Sequence, residues 1–216
     1  MDTSVADLAK NEMEALLAQA KRQLRARMRG LRSALPASAI AARSGRIVER
    51  VAALGPVRDA KSVALFWPMA NKNEVDLVPL DATLRAQGKR LYYPFMTPTE
   101  TGYHTGFRLL SDVGLLEQRG RGFSEPPLDA AEATRGDIDA VVVPALAVSA
   151  DGYRIGYGIG FYDVTLPDVC PPASTVVVAF SFQLLAEAPH DEGDFPCDWV
   201  VTDESVTDAR SARGPA

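Results

Sequence analysis

Apolar residues recur every three or four positions in three parts of the chain, and this spacing predicts three amphipathic helices. The predicted helices cover residues 12–35, 38–54 and 73–87. Pro36, Gly55 and Gly88 follow them, and proline and glycine are residues that commonly end helices. Asn73 is the predicted N-cap of the third helix.

Short apolar runs rich in valine alternate with these helical patterns, and their length predicts buried strands. The strands are predicted at residues 62–69, 90–96, 102–110, 140–148, 175–180 and 199–202. Residues 112–134 are predicted to be irregular, and residues 183–188 to form a helical turn or two. This alternation predicts an α/β protein whose mostly parallel sheet is covered on both faces.

The composition adds a domain count and excludes several classes. The 216 residues are 47% hydrophobic and 24% charged, as expected for one globular domain, which we place at residues 12–204 between a flexible N-terminus (1–11) and a flexible tail (205–216). No apolar run is long enough to cross a membrane, and the acidic N-terminus is unlike a secretory signal. Cys170 and Cys197 suggest neither a disulfide framework nor a zinc site, so we expect a cytoplasmic protein.

Charge is distributed unevenly along the chain. The formal net charge is −5, yet residues 21–32 carry six basic residues and no acidic one, so the remainder sums to −11. A general nucleic-acid binder would show positive charge over a whole face. One concentrated basic segment is better suited to a single small polyanion.

A glycine-rich segment follows the clearest predicted strand. Gly156, Gly158 and Gly160 alternate between Arg154 and Asp163. Ligands bind at the carboxyl ends of strands in open α/β sheets, and glycines there allow the backbone to approach an anion closely. The spacing is neither that of a dinucleotide fingerprint nor that of a P-loop, and a tight turn with two surface charges explains it equally well.

Other candidate residues each have a plain structural alternative. Lys21 and Arg25 lie on one helix face and could reach the same anion as the glycines, or form a solvated surface. Glu74, just beyond Trp67, could contact a ligand or stabilise a helix start. An acidic cluster that includes Asp194 could contribute a metal ligand or be a solvated loop. The chain has no nucleophile elbow of the G-x-S-x-G type.

Taken together, these segments resemble the 5-formyltetrahydrofolate cyclo-ligase family, also called 5,10-methenyltetrahydrofolate synthetase. The resemblance extends over about residues 20–203. It is strongest at the Arg-x-Gly-x-Gly-x-Gly-Phe-Tyr-Asp segment that ends at Asp163. The other matching segments are Lys21-Arg-Gln-Leu-Arg25, Phe66-Trp-Pro-Met69, Glu74-Val-Asp76, Gly122-Phe-Ser-Glu-Pro126 and Phe182-Gln183 with Asp194.

The resemblance implies a three-layer α/β/α fold with a mostly parallel sheet, similar to the ribose-isomerase and CoA-transferase group. It also implies ATP-dependent ring closure of 5-formyltetrahydrofolate, with Mg²⁺ as cofactor. In that reaction the γ-phosphoryl group passes to the formyl oxygen, and the anilino nitrogen then attacks the formyl carbon and displaces phosphate. The expected partners are these small molecules alone, without nucleic acid or membrane, and the expected state is a monomer.

The resemblance further assigns roles to individual residues. The residues implied to bind ATP are Lys21, Arg25, Arg154, Gly156, Tyr157, Gly158, Ile159, Gly160, Phe161 and Tyr162. Those implied to bind the folate are Trp67, Glu74, Tyr157 and Tyr162. Asp163 and Asp194 are implied to face Mg²⁺, and Lys21, Arg154 and Tyr162 to act in catalysis.

Four positions depart from the family pattern. Many members have glycine or lysine in place of Ile159, tyrosine in place of Phe161, aspartate in place of Ser149 and glycine in place of Ala145. The departures at Ile159 and Ser149 motivate an alternative, a non-catalytic paralogue that binds folate or nucleotide. A further alternative is a CoA transferase, which would need Glu74 or Glu125 as nucleophile.

Overall fold

A computed structural model describes residues 5–69, 71–119 and 122–213. The helices are α1 (Val5–Ser33), α2 (Ala37–Ala53), α3 (Gly55–Arg58), α4 (Val78–Ala86), α5 (Phe161–Val169) and α6 (Ala209–Arg213). The strands are β1 (Ser62–Ala64), β2 (Arg90–Thr99), β3 (Gly102–Leu109), β4 (Glu117–Arg119), β5 (Phe123–Glu125), β6 (Ala140–Pro144), β7 (Ala147–Ser149), β8 (Arg154–Ile155), β9 (Ser174–Val178), β10 (Leu184–Leu185), β11 (Trp199–Val201) and β12 (Val206–Asp208). Two 3₁₀ turns lie at Val113–Leu115 and Ser181–Gln183.

The main sheet has seven strands in the order β12-β11-β9-β6-β1-β2-β3. Its five inner strands are mutually parallel, and β3 and β12 pair antiparallel at the two edges. Strands β10, β7 and β8 form a smaller sheet, and β4 pairs with β5. The sequence-based prediction of a mostly parallel sheet is therefore confirmed.

Alternation along the inner strands gives the sheet two apolar faces. In β6, Val142 belongs to one core cluster while its neighbours Val141 and Val143 belong to the other. Successive side chains in a strand point to opposite faces, so a strand of consecutive valines can fill both. Helices α2 and α4 cover the first face, and α5 and α6 cover the second. The result is the predicted three-layer α/β/α arrangement.

The chain order places a crevice at the carboxyl ends of the central strands. From β1 the chain adds β2 and β3 on one side, then returns to place β6 on the other side of β1. Such a reversal is the position at which open α/β sheets bind ligands.

Three predicted elements differ from the structure because tertiary pairing overrides the local pattern. The run 140–148 is two strands: β6 stays in the main sheet and β7 pairs with β8 and β10. The amide of Leu146 donates to the carbonyl of Ile155 at 2.7 Å, which directs the chain into the small sheet. The helical turns predicted at 183–188 are wrong, since Leu184 and Leu185 pair with β7. The irregular stretch 112–134 contains the β4–β5 hairpin.

The third predicted helix begins later than its apolar spacing suggests. Helix α4 starts at Val78, with a proline in its first turn. Asn73 is not its N-cap: the Asn73 Nδ2 amide donates to the carbonyls of Arg32 (3.0 Å) and Leu35 (3.2 Å), at the end of α1. The residues from Asn73 to Leu77 have no regular secondary structure.

The chain ends and α5 also differ from the predictions. Helix α1 extends from Val5 through part of the predicted flexible N-terminus, of which residues 1–4 lie outside the described residues. The predicted tail contributes β12 and α6, whose Ala209 is fully buried, while residues 214–216 are outside the description. Helix α5 was not predicted, because its nine residues start in a glycine loop and include Pro167. Both cysteines are buried and free.

Membrane insertion has no support in the helices. Within residues 5–69, 71–119 and 122–213, no helix combines the length and the apolar character needed to cross a bilayer.

Ile47 tests the packing of α2 on the sheet. It is fully buried in the core cluster that α2 shares with α4. Replacing Ile47 with alanine removes three carbons and leaves a cavity, so we expect the free energy of unfolding to fall by about 3 kcal/mol, measured by urea denaturation. The control Leu128→Ala removes a side chain from a residue that is 63% exposed, and it should change stability by less than about 0.5 kcal/mol. Equal losses in the two variants would contradict the packing described.

Candidate active site

A cavity of about 450 Å³ opens at the reversal point of the sheet. Phe66 and Trp67, which follow β1, and Pro144, which ends β6, form its floor at the carboxyl ends of the two strands. The glycine loop (residues 156–160) and the start of α5 form one wall. Helix α1 contributes Lys21 and Arg25 from another direction.

The glycine loop is shaped by backbone conformations that ordinary residues rarely adopt. Gly158 has φ +95° and Gly160 has φ +79°, both left-handed. Gly160 directly precedes α5, so the first turn of that helix faces the cavity with Phe161, Tyr162 and Asp163. Amide N–H groups in a first helical turn lack intrahelical partners and favour an anion. The loop is therefore suited to binding phosphate, a property that a plain tight turn would not need.

Helix α1 and the glycine loop touch directly. The Arg25 Nε donates to the carbonyl of Gly156 at 3.0 Å. A Cβ on Gly158 would lie 3.2 Å from the Arg25 guanidinium carbon, so the two groups pack as closely as a glycine permits. A helix and a loop 131 residues apart in sequence thus share one wall, as the single-polyanion hypothesis requires.

Lys21, one turn before Arg25, is held by two carboxylates of the loop before β11. Its Nζ donates to Asp191 at 2.9 Å and to Asp194. Burial lowers the pKa of Lys21, but the hydrogen bonds and charges of Asp194 and Asp191 outweigh it, so the pKa is raised. Lys21 is therefore a firmly protonated cation at the cavity wall.

Arg154 is a buried cation paired with Asp163. Its Nη2 donates to Asp163 Oδ1 at 2.9 Å, and its Nη1 donates to the carbonyl of Phe195 at 2.5 Å. The amide of Phe195 donates to the same Asp163 oxygen at 3.2 Å, which brings the neighbouring Asp194 to the same side of the cavity. Three cations and two carboxylates accordingly line one end of the cavity.

The opposite end holds a carboxylate that is nearly inaccessible to solvent. Glu74 is 6% exposed, and each of its oxygens accepts one hydrogen bond: Oε2 from the amide of Met69 at 2.7 Å, and Oε1 from the hydroxyl of Tyr157 at 3.0 Å. Burial raises the pKa of Glu74, opposed by these hydrogen bonds and by the charges of Arg32 and Lys72. Glu74 is not in a helix, so the helix-start interpretation is wrong.

Aromatic rings surround the space between the two ends. Trp67 packs edge-on against Tyr93, with ring centroids 6.3 Å apart. The ring centroid of Tyr162 lies 5.6 Å from the Arg154 guanidinium carbon, and burial raises the pKa of the Tyr162 hydroxyl. Phe123, in β5, completes the lining. Flat apolar walls of this kind suit a planar heterocyclic ligand.

Every residue to which the family resemblance assigns a role lines this cavity. Sequence reasoning assigned no role to Lys72 and Phe123, which line the cavity, or to Arg32, which donates to the Tyr157 hydroxyl. Asp191 belongs to the acidic cluster noted in the sequence, but its contact with Lys21 was not predicted. Arg32 belongs to the basic run of α1, and that was its only signal. Phe123 lies within the Gly-Phe-Ser-Glu-Pro segment, but nothing local shows that its ring faces a cavity.

The four residues that depart from the family pattern occupy different places relative to the cavity. Ser149 is buried in β7 and does not line the cavity; its Oγ donates to the Asp151 carboxylate at 2.5 Å. Ala145 is also buried, and its carbonyl accepts from the Gln183 amide. Ile159 does line the cavity and is 42% exposed, whereas Phe161 packs edge-on against Phe107 in the core. Glu125, the other candidate nucleophile, does not line the cavity.

Gly158 should tolerate a side chain poorly. An alanine there would be held at φ +95° with its Cβ 3.2 Å from Arg25, so we expect Gly158→Ala to lower the free energy of unfolding by about 1–2 kcal/mol. Gly45 is the matched control: it is an exposed helical residue in α2 with open space around it, and Gly45→Ala should raise stability by about 0.5–1 kcal/mol. Chemical denaturation of both variants measures this. A neutral Gly158→Ala would contradict the loop geometry.

Comparisons with known proteins agree with this geometry. The model of the 5-formyltetrahydrofolate cyclo-ligase family matches residues 17–203. The 5-formyltetrahydrofolate cyclo-ligase of Escherichia coli strain K12 is 32% identical over 153 residues, which is 70% of this chain and 82% of that protein. The cyclo-ligase of Mus musculus is 27% identical over 197 residues, covering 86% and 95% of the two chains.

A solved structure shares the fold. The NMR structure of Aquifex aeolicus 5,10-methenyltetrahydrofolate synthetase superposes with a TM-score of 0.75 and 30% identity, covering 91% of this chain and 96% of that one. Its fold, the family match and the cavity at the carboxyl ends of the strands lead to one conclusion: the chain belongs to the 5-formyltetrahydrofolate cyclo-ligase family.

Proposed function

We propose that this chain catalyses the ATP-dependent cyclisation of 5-formyltetrahydrofolate to 5,10-methenyltetrahydrofolate, with release of ADP and phosphate. The observation that carries the proposal is that one cavity joins a cation-rich end to an aromatic end with a buried carboxylate. Membership of the cyclo-ligase family, in which ATP is the co-substrate, supports it. A cytoplasmic location and a monomeric state stay predictions.

The cation-rich end is the proposed nucleotide site. Lys21, Arg25 and Arg154 supply positive charge, and the glycine loop with the first turn of α5 supplies backbone donors. The loop residues Gly156, Tyr157, Gly158, Ile159, Gly160, Phe161 and Tyr162 line this part of the cavity. A forked guanidinium such as that of Arg154 matches phosphate oxygens geometrically. Lys21 would bind the triphosphate while it also contacts Asp191 and Asp194.

The aromatic end is the proposed folate site. An ionised carboxylate only accepts hydrogen bonds, so Glu74 in that form would recognise N–H donors on the polar edge of a pteridine. Trp67, Tyr157 and Tyr162 would pack against the planar rings. This division places the formyl group of the folate toward the phosphates.

The chemistry needs no protein nucleophile. The formyl oxygen attacks the γ-phosphorus of ATP and ADP leaves. The anilino nitrogen then attacks the formyl carbon and loses its proton, and phosphate departs with the former formyl oxygen. Phosphoryl transfer of this type depends on positioning and on neutralising charge. Lys21 and Arg154 would provide the positive charge, and the partly buried Tyr162 would help to exclude water beside them.

Asp163 and Asp194 would hold Mg²⁺, which neutralises phosphate charge when it is bound. Both carboxylates line the nucleotide end of the cavity. Magnesium is typically held by one or two carboxylates together with phosphate oxygens and water, so two such residues fit the group. Within the described residues no cluster of three or more metal-ligating side chains occurs, which agrees with a site that the nucleotide itself completes.

The activity has a direct spectroscopic test. Protein, Mg-ATP and 5-formyltetrahydrofolate together should generate the near-ultraviolet absorbance of the methenyl product, and omission of ATP should abolish it. Calorimetric binding without product would instead support the non-catalytic paralogue. A covalent acyl adduct on a glutamate would support the CoA transferase. No absorbance change at high protein concentration would reject the proposal.

Lys21 tests the nucleotide site. Lys21→Met removes a cation that faces the phosphates, and we expect kcat to fall about 100-fold or more under ATP-saturating conditions. Lys10→Met is the matched control, since Lys10 lies on the exposed part of the same helix, away from the cavity. Its kcat should remain within about twofold of the wild type. Steady-state kinetics measure both variants, and equal kcat values in all three proteins would place the triphosphate elsewhere.

A further inference from the structure

Arg32 connects the end of α1 to both sides of Glu74. Its guanidinium Nη2 donates to the hydroxyl of Tyr157, which in turn donates to Glu74 Oε1 at 3.0 Å. Its backbone carbonyl accepts from Asn73 Nδ2 at 3.0 Å, and Asn73 immediately precedes Glu74. Arg32 therefore contacts both the Tyr157 hydroxyl, which donates to Glu74, and Asn73, which precedes Glu74 in the chain.

The donor character of arginine fixes the direction of this chain of hydrogen bonds. A guanidinium can only donate, so the Tyr157 oxygen accepts from Arg32 and its own proton is directed to Glu74. The other carboxylate oxygen is occupied by the amide of Met69 at 2.7 Å. Both oxygens of Glu74 are thereby held in place, and their remaining lone pairs are left for a ligand.

Arg32 also supplies the buried charge that faces Glu74. The ionisable groups around this carboxylate are Arg32 from α1, Lys72 from the preceding loop, Tyr157 from the glycine loop and Tyr162 from α5. Arg32 is 3% exposed, so its charge is poorly screened by solvent. It opposes the effect of burial, which alone would favour the neutral form of Glu74.

Stability alone does not explain why an arginine occupies this position. The Nε of Arg32 is buried and has no hydrogen-bond partner among the described residues, and an unpaired buried donor costs free energy. Arg32 does not line the cavity that the described residues form, so it would act on a ligand only through other residues. A buried arginine that leaves one donor unpaired and yet organises a carboxylate of the cavity fits a functional role.

We propose that Arg32 is a positioning residue for folate recognition: through Tyr157 and Asn73 it holds Glu74 as an ionised acceptor aimed into the cavity. The proposal rests on the proposed function, because the ligand it serves is the folate. It separates Arg32 from Lys21 and Arg25 of the same basic helix, which serve the nucleotide.

The test is Arg32→Met, with Arg29→Met as the matched control on an exposed turn of α1. Arg32→Met should raise KM for 5-formyltetrahydrofolate about 10- to 100-fold and leave KM for ATP within about twofold, because one charged hydrogen bond serves the folate end only. Arg29→Met should leave both constants within about twofold of the wild type.

The pH profile gives a readout that a purely structural role would not move. Protonation removes the charge of Glu74 and turns one acceptor oxygen into a donor, so folate binding should be strongest above its pKa and weaken as the pH falls through it. Loss of Arg32 raises that pKa further, so the acidic limb of kcat/KM for the folate should move to higher pH in Arg32→Met. Arg32→Lys keeps the charge and should return the limb toward the wild-type position.

A second variant tests the relay itself and does not depend on how well Arg32→Met folds. Tyr157→Phe removes a hydroxyl that donates to Glu74 but keeps the charge of Arg32, so it should raise KM for the folate and move the acidic limb to higher pH by less than Arg32→Met does. The double variant Arg32→Met/Tyr157→Phe should be no weaker than Arg32→Met alone, because the two residues act in one chain. Fully additive effects would overturn the relay.

The remaining outcomes separate this proposal from the proposed function. In one outcome the wild type turns over, but Arg32→Met and Arg32→Lys change neither KM for the folate nor the acidic limb. In another they raise KM for ATP as much as KM for the folate. Either result would show that the proposed role of Arg32 is wrong, while the proposed function would stand. If the wild type makes no product, calorimetric titration with 5-formyltetrahydrofolate decides: weaker binding by Arg32→Met than by Arg29→Met supports the role. No binding by the wild type would overturn both.

Discussion

The contact between α1 and the glycine loop is the constraint on which the site depends. Arg25 donates to the carbonyl of Gly156, and a Cβ on Gly158 would lie 3.2 Å from its guanidinium carbon, so this contact leaves little space for a side chain in the loop. The contact brings cations from the start of the chain to a loop that follows the centre of the sheet. Arg32 and Tyr157 add a second contact between the helix and the same loop.

Charge is divided between the two ends of the cavity. At the cation-rich end, Lys21 and Arg154 are each paired with a carboxylate, so the cations are held without being exposed as bare charges. At the other end the buried group is a carboxylate, Glu74, which accepts hydrogen bonds from the Tyr157 hydroxyl and a backbone amide. A triphosphate and an N–H-rich heterocycle have opposite electrostatic needs, and one cavity meets both. This complementarity supports the ligase assignment more than any single residue does.

The sequence predicted the layers of the fold because valine runs and amphipathic spacing reflect burial directly. The predictions were wrong where an element pairs with residues far away in the sequence. Strand β7 pairs with β8 and β10 outside the main sheet, and Asn73 donates to the end of α1 instead of capping α4. In the site, motif residues such as Arg154 were found because glycines mark their loop. Arg32 was missed because its role requires knowing that Tyr157 lies beside it.

Helix geometry explains how one element serves both ends. Lys21 and Arg32 are eleven residues apart, which is about 16 Å along a helix, so α1 spans the cavity from the phosphate end to Glu74. A regular helix holds that separation rigidly, because its length is fixed by its backbone hydrogen bonds. If the triphosphate is bound by Lys21 and Arg25 and the pteridine is positioned through Arg32, the distance between them is set by α1. The alignment of the γ-phosphorus with the formyl oxygen then depends on the helix as much as on the loop, since a rotation or bend of α1 would move both ligands relative to the sheet.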